Sequence, residues 1–335
     1  MAEDFADPRD VPWHPRRRFS LVGHGDAEAR LLQAALSGKL HHAWLLSGPS
    51  GIGKATLAYR FARFLLQPRG GEATSLTVSR DSTVARQIAA GAHPDLLVVE
   101  RAVDVKNKRL KTEIAVDDAR KASQFFSRTA GAGGWRVAIV DTADDLNGES
   151  ANALLKVIEE PPAKAVFLLV CHRPGSLLPT IRSRCSHLAL KPLSIEDTLG
   201  VLQDVQPGAE EALRHAAQLS LGSPGRAMEL IDSKGAKAFE AFQARPRLSP
   251  AACVELGAMF AHRDNADDFA IFCELLTGWI SARARQRGLS GGGAALAKAH
   301  DDITHSLRQT DALNLDRRQT VVDALLLLDE ALKAS

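Results

Sequence analysis

The sequence predicts an α/β fold: a parallel sheet covered by helices on both faces, followed by a helical lid and an all-α C-terminal domain. Three observations carry this. A short apolar strand runs through a glycine-rich turn straight into an amphipathic helix at residues 42 to 65, continuous apolar runs then alternate with helices as far as residue 190, and strand signals stop beyond Pro192. These give boundaries of 1–192 for the α/β domain, 193–240 for the lid and 241–335 for a helical C-terminal domain.

After a Pro- and Arg-rich opening, residues 26 to 37 carry apolar positions at helical spacing, and HAWLLS at 42 to 47 reads as a buried strand. From Lys54, Leu57, Phe61, Phe64 and Leu65 fall at i, i+4, i+7 and i+8 and share one helix face. Residues 68 to 93 lack a clear period and read as a loop with one irregular helix. The alternation then resumes with strand 95–99, helix 115–127, strand 136–140, helix 149–159, strand 165–171 and strand 186–190. Residues 193 to 231 read as a small helical unit. In the C-terminal part, Phe269, Phe272, Leu276, Trp279 and Ile280 form one stripe, and Val321, Leu325, Leu328 and Leu332 another. The Gly-rich 290–295 stretch reads as a helix connection.

Composition narrows the function. The chain has 335 residues, 45% hydrophobic and 24% charged, with a formal charge of +2, so no strong overall field draws it to polyanions. Aromatic content of 5% argues against a base-stacking surface. The four cysteines, Cys171, Cys185, Cys253 and Cys273, show no metal-ligand spacing; the expectation is no metal site and a reducing compartment. An acidic, Pro-broken start and no long apolar run lead to the expectation of a cytoplasmic protein without membrane contact. Lys106, Lys108, Arg109 and Lys111 form a local basic cluster, read either as a phosphate-attracting patch or as a solvated hairpin; Arg16, Arg17 and Arg18 are read in the same two ways.

Gly48-Pro49-Ser50-Gly51-Ile52-Gly53-Lys54 matches the first seven positions of a Walker A phosphate loop between strand and helix. Such glycines let backbone N–H groups face phosphate oxygens, and Lys54 adds a point charge. The eighth position, where a hydroxyl ligates magnesium, is Ala55. Thr56 comes one residue late, and successive helical side chains point about 100° apart, so it is a poor substitute. Val137 to Asp141 is an apolar strand ending in a carboxylate, as in Walker B. The next residue, where a carboxylate base is needed to activate water, is Thr142. Both deficits predict weak or absent hydrolysis, while Lys54 and the glycine loop leave nucleotide binding open.

Asp141-Thr142-Ala143-Asp144, Asn152-Ala153-Leu154-Leu155-Lys156, Glu159-Glu160-Pro161-Pro162 and Leu178-Pro179-Thr180-Ile181-Arg182-Ser183-Arg184-Cys185, in this order, resemble the bacterial clamp-loader branch of AAA+ proteins. The resemblance covers residues 20 to about 235, and the helical remainder is consistent with that family's oligomerising collar. Ala55, Thr142 and the lack of cysteines between residues 50 and 90, where many relatives carry a zinc module, favour the non-motor delta-prime type over the gamma/tau motor type. An ATP-hydrolysing gamma/tau-type motor or another AAA+ ATPase is the alternative.

The resemblance implies a five-subunit loader within a DNA polymerase III holoenzyme, with gamma/tau and delta subunits, the sliding clamp and primer-template DNA as partners. It implies that Arg184 serves as an arginine finger in trans, with little or no ATPase of the chain's own. It further implies a degenerate nucleotide site at Gly48, Gly51, Gly53, Lys54, Thr56, Asp141 and Arg226, the last at the position called sensor 2. No cofactor is required, and a non-hydrolysed ATP or ADP is possible there. The sensor 1 position, after strand 165–171, carries Cys171-His172-Arg173 where Thr or Asn is expected.

Overall fold

A computed structural model describes residues 11–68, 73–104, 109–127, 134–231, 233–245, 248–262, 265–288, 293–313 and 315–334. The chain divides into two compact units, residues 1–226 and 227–335. In the first, α1 (Gly25–Leu36) leads to β1 (Ala43–Ser47), and α2 (Lys54–Leu66) and α3 (Thr83–Ala89) precede β2 (Leu96–Glu100). Next come β3 (Val103–Asp104), β4 (Arg109–Leu110), α4 (Val116–Ser127), β5 (Arg136–Asp141), α5 (Gly148–Glu159), β6 (Ala165–Cys171), α6 (Pro179–Ser183) and β7 (Ser186–Ala189). Then α7 (Ile195–Val205) and α8 (Glu210–Leu219) lead to the start of α9 (Pro224–Ile231).

Five strands form one sheet in the order β2-β5-β6-β1-β7, and every neighbouring pair is parallel. The alternation of side chains along a strand sends each apolar run to two cores. Trp44 and Leu46 of β1 pack with Leu57 and Phe61 of α2 on one face, while Ala43 and Leu45 pack with Phe126 of α4 and Ile158 of α5 on the other. That explains why these strands read as unbroken apolar runs. Helices α3, α5 and α7 start where the sequence supplies a cap: Ser82 accepts from the Ala85 amide at 3.1 Å, Asn147 from Ser150 at 3.0 Å and Ser194 from Asp197 at 3.0 Å.

Register places the functional edge. Ser47 of β1 lies beside Cys171 of β6, and Glu100 of β2 beside Asp141 of β5, so their ends gather at the C-terminal edge of the sheet. The N-terminal arm is tied down from α2. Arg63, 1% exposed, donates to the Arg18 carbonyl at 2.8 Å and to the Arg16 carbonyl, and lies over the Phe19 ring at 4.3 Å. Arg60 donates to the Phe19 carbonyl and pairs with Glu28 at 2.7 Å. The triple-Arg opening is therefore joined to the fold through its main chain.

The basic cluster turns out to border a two-stranded hairpin, with Val103 opposite Leu110 and Asp104 opposite Arg109. Lys106 and Lys108 lie outside the described residues.

The second unit is helical: the rest of α9, then α10 (Lys234–Gln243), α11 (Pro250–Ala258), α12 (Ala266–Gly288), α13 (Ala294–Leu313) and α14 (Arg317–Lys333). Phe269, Phe272, Leu276 and Ile280 of α12 and Val321, Leu325 and Leu328 of α14 are buried as their stripes predict. Trp279 and Leu332, assigned to the same stripes, are only partly buried and line a groove instead. Among the described residues no helix is long and apolar enough to cross a membrane, and no group of three or more His, Cys, Asp or Glu is placed to hold a metal ion.

Candidate functional site

The glycine-rich loop follows β1 and ends at the first turn of α2. Gly48, Gly51 and Gly53 all have positive φ, at 142°, 72° and 105°. A Cβ at Gly48 would sit 2.5 Å from the Leu190 carbonyl oxygen, and one at Gly51 would sit 2.4 Å from Ser223 Oγ. Only glycine serves at these positions.

Lys54 is buried, and its ammonium donates to the Gly48 carbonyl at 2.7 Å and to the Pro49 carbonyl. Burial pulls its pKa down to about 8, against the charges of Asp141 and Asp144, which favour the protonated form. Asp141 moves the opposite way, up to about 6, because burial and the registered Glu100 carboxylate outweigh Lys54 and Arg101. The two ends of the site are thus both short of solvation.

Asp144 acts as a connector. It accepts from the backbone amides of His172 at 2.5 Å and Arg173 at 2.8 Å, and these bonds hold its pKa below the ordinary value although burial opposes them. The turn after β5 is thereby tied to the segment after β6. Cys171, beside it, has its thiol pushed up to about 12 by burial and by Asp144.

The lid reaches the loop directly. Ser223 Oγ donates to the Ser50 carbonyl at 2.8 Å, and the Gly225 amide donates to the Gly51 carbonyl at 3.0 Å. The Arg226 amide donates in turn to Ser223 Oγ at 3.1 Å, so its backbone is tied to the residue that bonds the loop. Sequence reasoning singled out Arg226 and gave no role to Ser223 or Gly225. Their partners lie more than 170 residues away, and the Gly-Ser-Pro-Gly spelling was the only signal.

Beside the loop is a cavity of about 370 Å³ lined by Leu21, Ile52, Gly53, Thr56, Leu193 and Val201, among others, with Arg18 and Asp204 paired at 2.5 Å on its wall. Apolar walls and this volume suit a planar heterocycle such as a nucleobase. Thr56, one residue past Ala55, is among the residues that line this cavity. The residues fit a nucleotide: a glycine cradle, an ammonium and a base-sized cavity. They do not fit the magnesium-dependent step, because Ala55 offers no oxygen and Thr142 is no carboxylate base.

Arg184 stands apart from this cluster. It follows the last residue of α6, its side chain 39% exposed, paired with Glu159 at 2.8 Å and donating to the Thr180 carbonyl at 3.0 Å. Glu159 ends α5, so two quoted motifs, EEPP and SRC, meet in one ion pair. Cys185 beside it is buried, with its thiol pushed up to about 12 by that burial.

The chain is 38% identical over 190 residues to DNA polymerase III subunit delta' of Pseudomonas aeruginosa, covering 56% of this chain and 55% of that protein. It is 32% identical over 225 residues to DNA polymerase III subunit gamma of Buchnera aphidicola, covering 66% of this chain and 59% of that protein. The chain thus spans somewhat over half the length of these relatives. A crystal structure of a gamma subunit-related protein of DNA polymerase III from Thermotoga maritima shares the fold, with a TM-score of 0.50 at 18% identity, over 91% of this chain and 99% of that one. The family described as "DNA polymerase III, delta subunit" matches residues 23–194, just over half of the 335. The chain therefore belongs to the DNA polymerase III delta-subunit family and is delta-prime-like within it.

Proposed function

We propose that this chain is the non-motor, delta-prime-type subunit of a cytoplasmic clamp loader, which helps place a sliding clamp on primer-template DNA. Its partners in this reading are gamma/tau and delta subunits, and the C-terminal helices form its share of the collar. The observation that supports this most is the pairing of a damaged hydrolytic site with an intact, surface-held arginine. The chain lacks the hydroxyl at Ala55 and the base at Thr142, yet Arg184 is presented at the surface end of α6.

Arg184 would serve a neighbour's nucleotide. A guanidinium is permanently charged and planar, and it bridges two phosphate oxygens as charge builds on them. The pair with Glu159 is half-exposed, a class worth about 0–1 kcal/mol, so exchanging Glu159 for a phosphate costs little. Within the chain's own site, the amides around Gly48, Gly51 and Gly53 together with Lys54 would hold the phosphates of an ATP or ADP, and Thr56 would border the base. Asp141 and Arg226 would stand at the phosphate end. A bound nucleotide supplies no chemistry here beyond its charge; it would draw Lys54 from the loop carbonyls.

Reconstitution tests this reading. Co-expressed with gamma or tau and delta subunits, the chain is expected to co-elute as one complex, and Arg184→Ala to preserve that complex while lowering its DNA-stimulated ATPase. Unchanged ATPase in an intact complex removes the finger role. The gamma-type relative gives the alternative, a working motor, some support. Steady ATP turnover by the purified chain alone, abolished by Lys54→Ala, would establish that instead.

A further inference from the structure

The groove lined by Trp279 lies wholly within the C-terminal unit. Its volume is about 730 Å³, in the range of cavities that enclose a ligand. Phe242 of α10, Leu248, Trp279 of α12 and Leu332 of α14 supply its apolar surface. Trp279 meets Phe242 edge to face at 5.2 Å between centroids, which fixes the indole in place.

The charged lining is one-sided. Arg245, Arg283, Arg287 and Lys333 border the groove, and Asp329 is the one carboxylate among the residues lining it. Asp329 is already engaged by Lys333, and Arg245 pairs with Glu255 at 2.7 Å. Trp279, Arg283 and Arg287 fall at i, i+4 and i+8 on α12, so an aromatic and two guanidinium groups follow one another along one helix face. Arg283 is exposed and lies 5.3 Å from the Trp279 ring centroid. Tryptophan and arginine around an apolar pocket are the residue types that carry most binding energy at protein interfaces.

We propose that this groove binds an acidic peptide segment of a partner protein, one bulky apolar side chain entering between Phe242, Trp279 and Leu332 and flanking carboxylates meeting Arg283 and Arg287. The apolar floor requires an apolar anchor, and the sign of the rim requires carboxylates beside it. Single-stranded nucleic acid fits less well. Base stacking needs an open aromatic face, and the Trp279 ring already meets Phe242 at right angles and lies under Arg283.

The test uses the full chain and a fluorescently labelled peptide, Glu-Asp-Leu-Phe-Glu-Asp, followed by anisotropy. Saturable binding weakened by salt is expected, with no binding of the charge-reversed Lys-Arg-Leu-Phe-Lys-Arg. Arg283→Glu should weaken binding about tenfold or more, and Trp279→Ala should abolish it while Trp279→Phe retains most of it. Arg283 is on the surface, so its variant should keep the thermal melt of the parent and report binding alone. No binding up to about 1 mM peptide, or equal binding by Arg283→Glu, overturns the proposal. Tighter, Arg283-dependent binding of a twelve-nucleotide thymidine strand would overturn it in favour of a nucleic-acid groove.

Discussion

Replacing Asp141 by Asn should make the nucleotide-free chain more stable, although it removes the carboxylate of the Walker B strand. Burial and the neighbouring Glu100 raise Asp141 from its ordinary 3.8 to about 6. In the unfolded chain the group ionises near 3.8. Between these values the folded state holds the proton and the unfolded state does not, so stability falls as pH rises and the loss is complete above about pH 6. At 1.36 kcal/mol for each tenfold step, the gap corresponds to up to about 3 kcal/mol at neutral pH. The attraction of Lys54 is already contained in that gap, and the Asn amide is an imperfect stand-in for the neutral acid, so a net gain of about 1–3 kcal/mol is expected. For a unit of this size that is a rise of roughly 3–10 °C in melting temperature. Thermal melts of both proteins from pH 4 to pH 8 without nucleotide measure it. The variant should lead at pH 7.5 and the lead should vanish near pH 4. A variant less stable than the parent at pH 7.5, or a lead that does not depend on pH, would refute the argument that Asp141 is held ionised against its surroundings.

Gly51→Ala should cost about 1–3 kcal/mol, because φ is 72° there and the new methyl would stand 2.4 Å from Ser223 Oγ; Gly25→Ala, with open space around it, should be neutral or gain up to about 1 kcal/mol by chemical denaturation. Arg184→Ala should change the melt little, since its ion pair is half-exposed, while removing the turnover of the one site it serves, because fingers contribute about 10³-fold or more to phosphoryl transfer. Of the four thiols, Cys171 and Cys185 should resist Ellman's reagent in the native protein at pH 8, both being buried and pushed up to about 12, and should react once the chain is unfolded in guanidinium. Rapid native labelling of either would contradict the burial described.

The sheet was legible because a parallel strand covered on both faces must be apolar through its middle, and the runs at 43–46, 137–140 and 165–171 are. The pairing of β3 with β4 was legible only as one of two readings of the basic cluster there, since two-residue strands show no period. The loop and the missing Ser or Thr were legible through spacing alone. What spacing cannot convey is which distant groups meet. Ser223 on the Ser50 carbonyl and Glu159 on Arg184 depend on the sheet bringing separate connections together, the first where β1 ends and the second where β6 and β7 begin. Trp279 and Leu332 fit helical stripes as well as their buried neighbours do, and only the ends of three helices leave them facing a groove.

The grip of Arg63 on the arm gives the unit a start that apolar pattern does not reveal. Remove the residues before Phe19 and the guanidinium loses the Arg16 and Arg18 carbonyls while staying enclosed by α2, a stranded charge of the kind that costs roughly 3–5 kcal/mol. Side-chain identity at positions 16 to 18 matters less to that grip than the presence of peptide oxygens there. Substituting the three arginines and deleting them are therefore different perturbations: the first removes side chains, among them the Arg18 partner of Asp204, and the second also takes away the peptide oxygens that Arg63 holds.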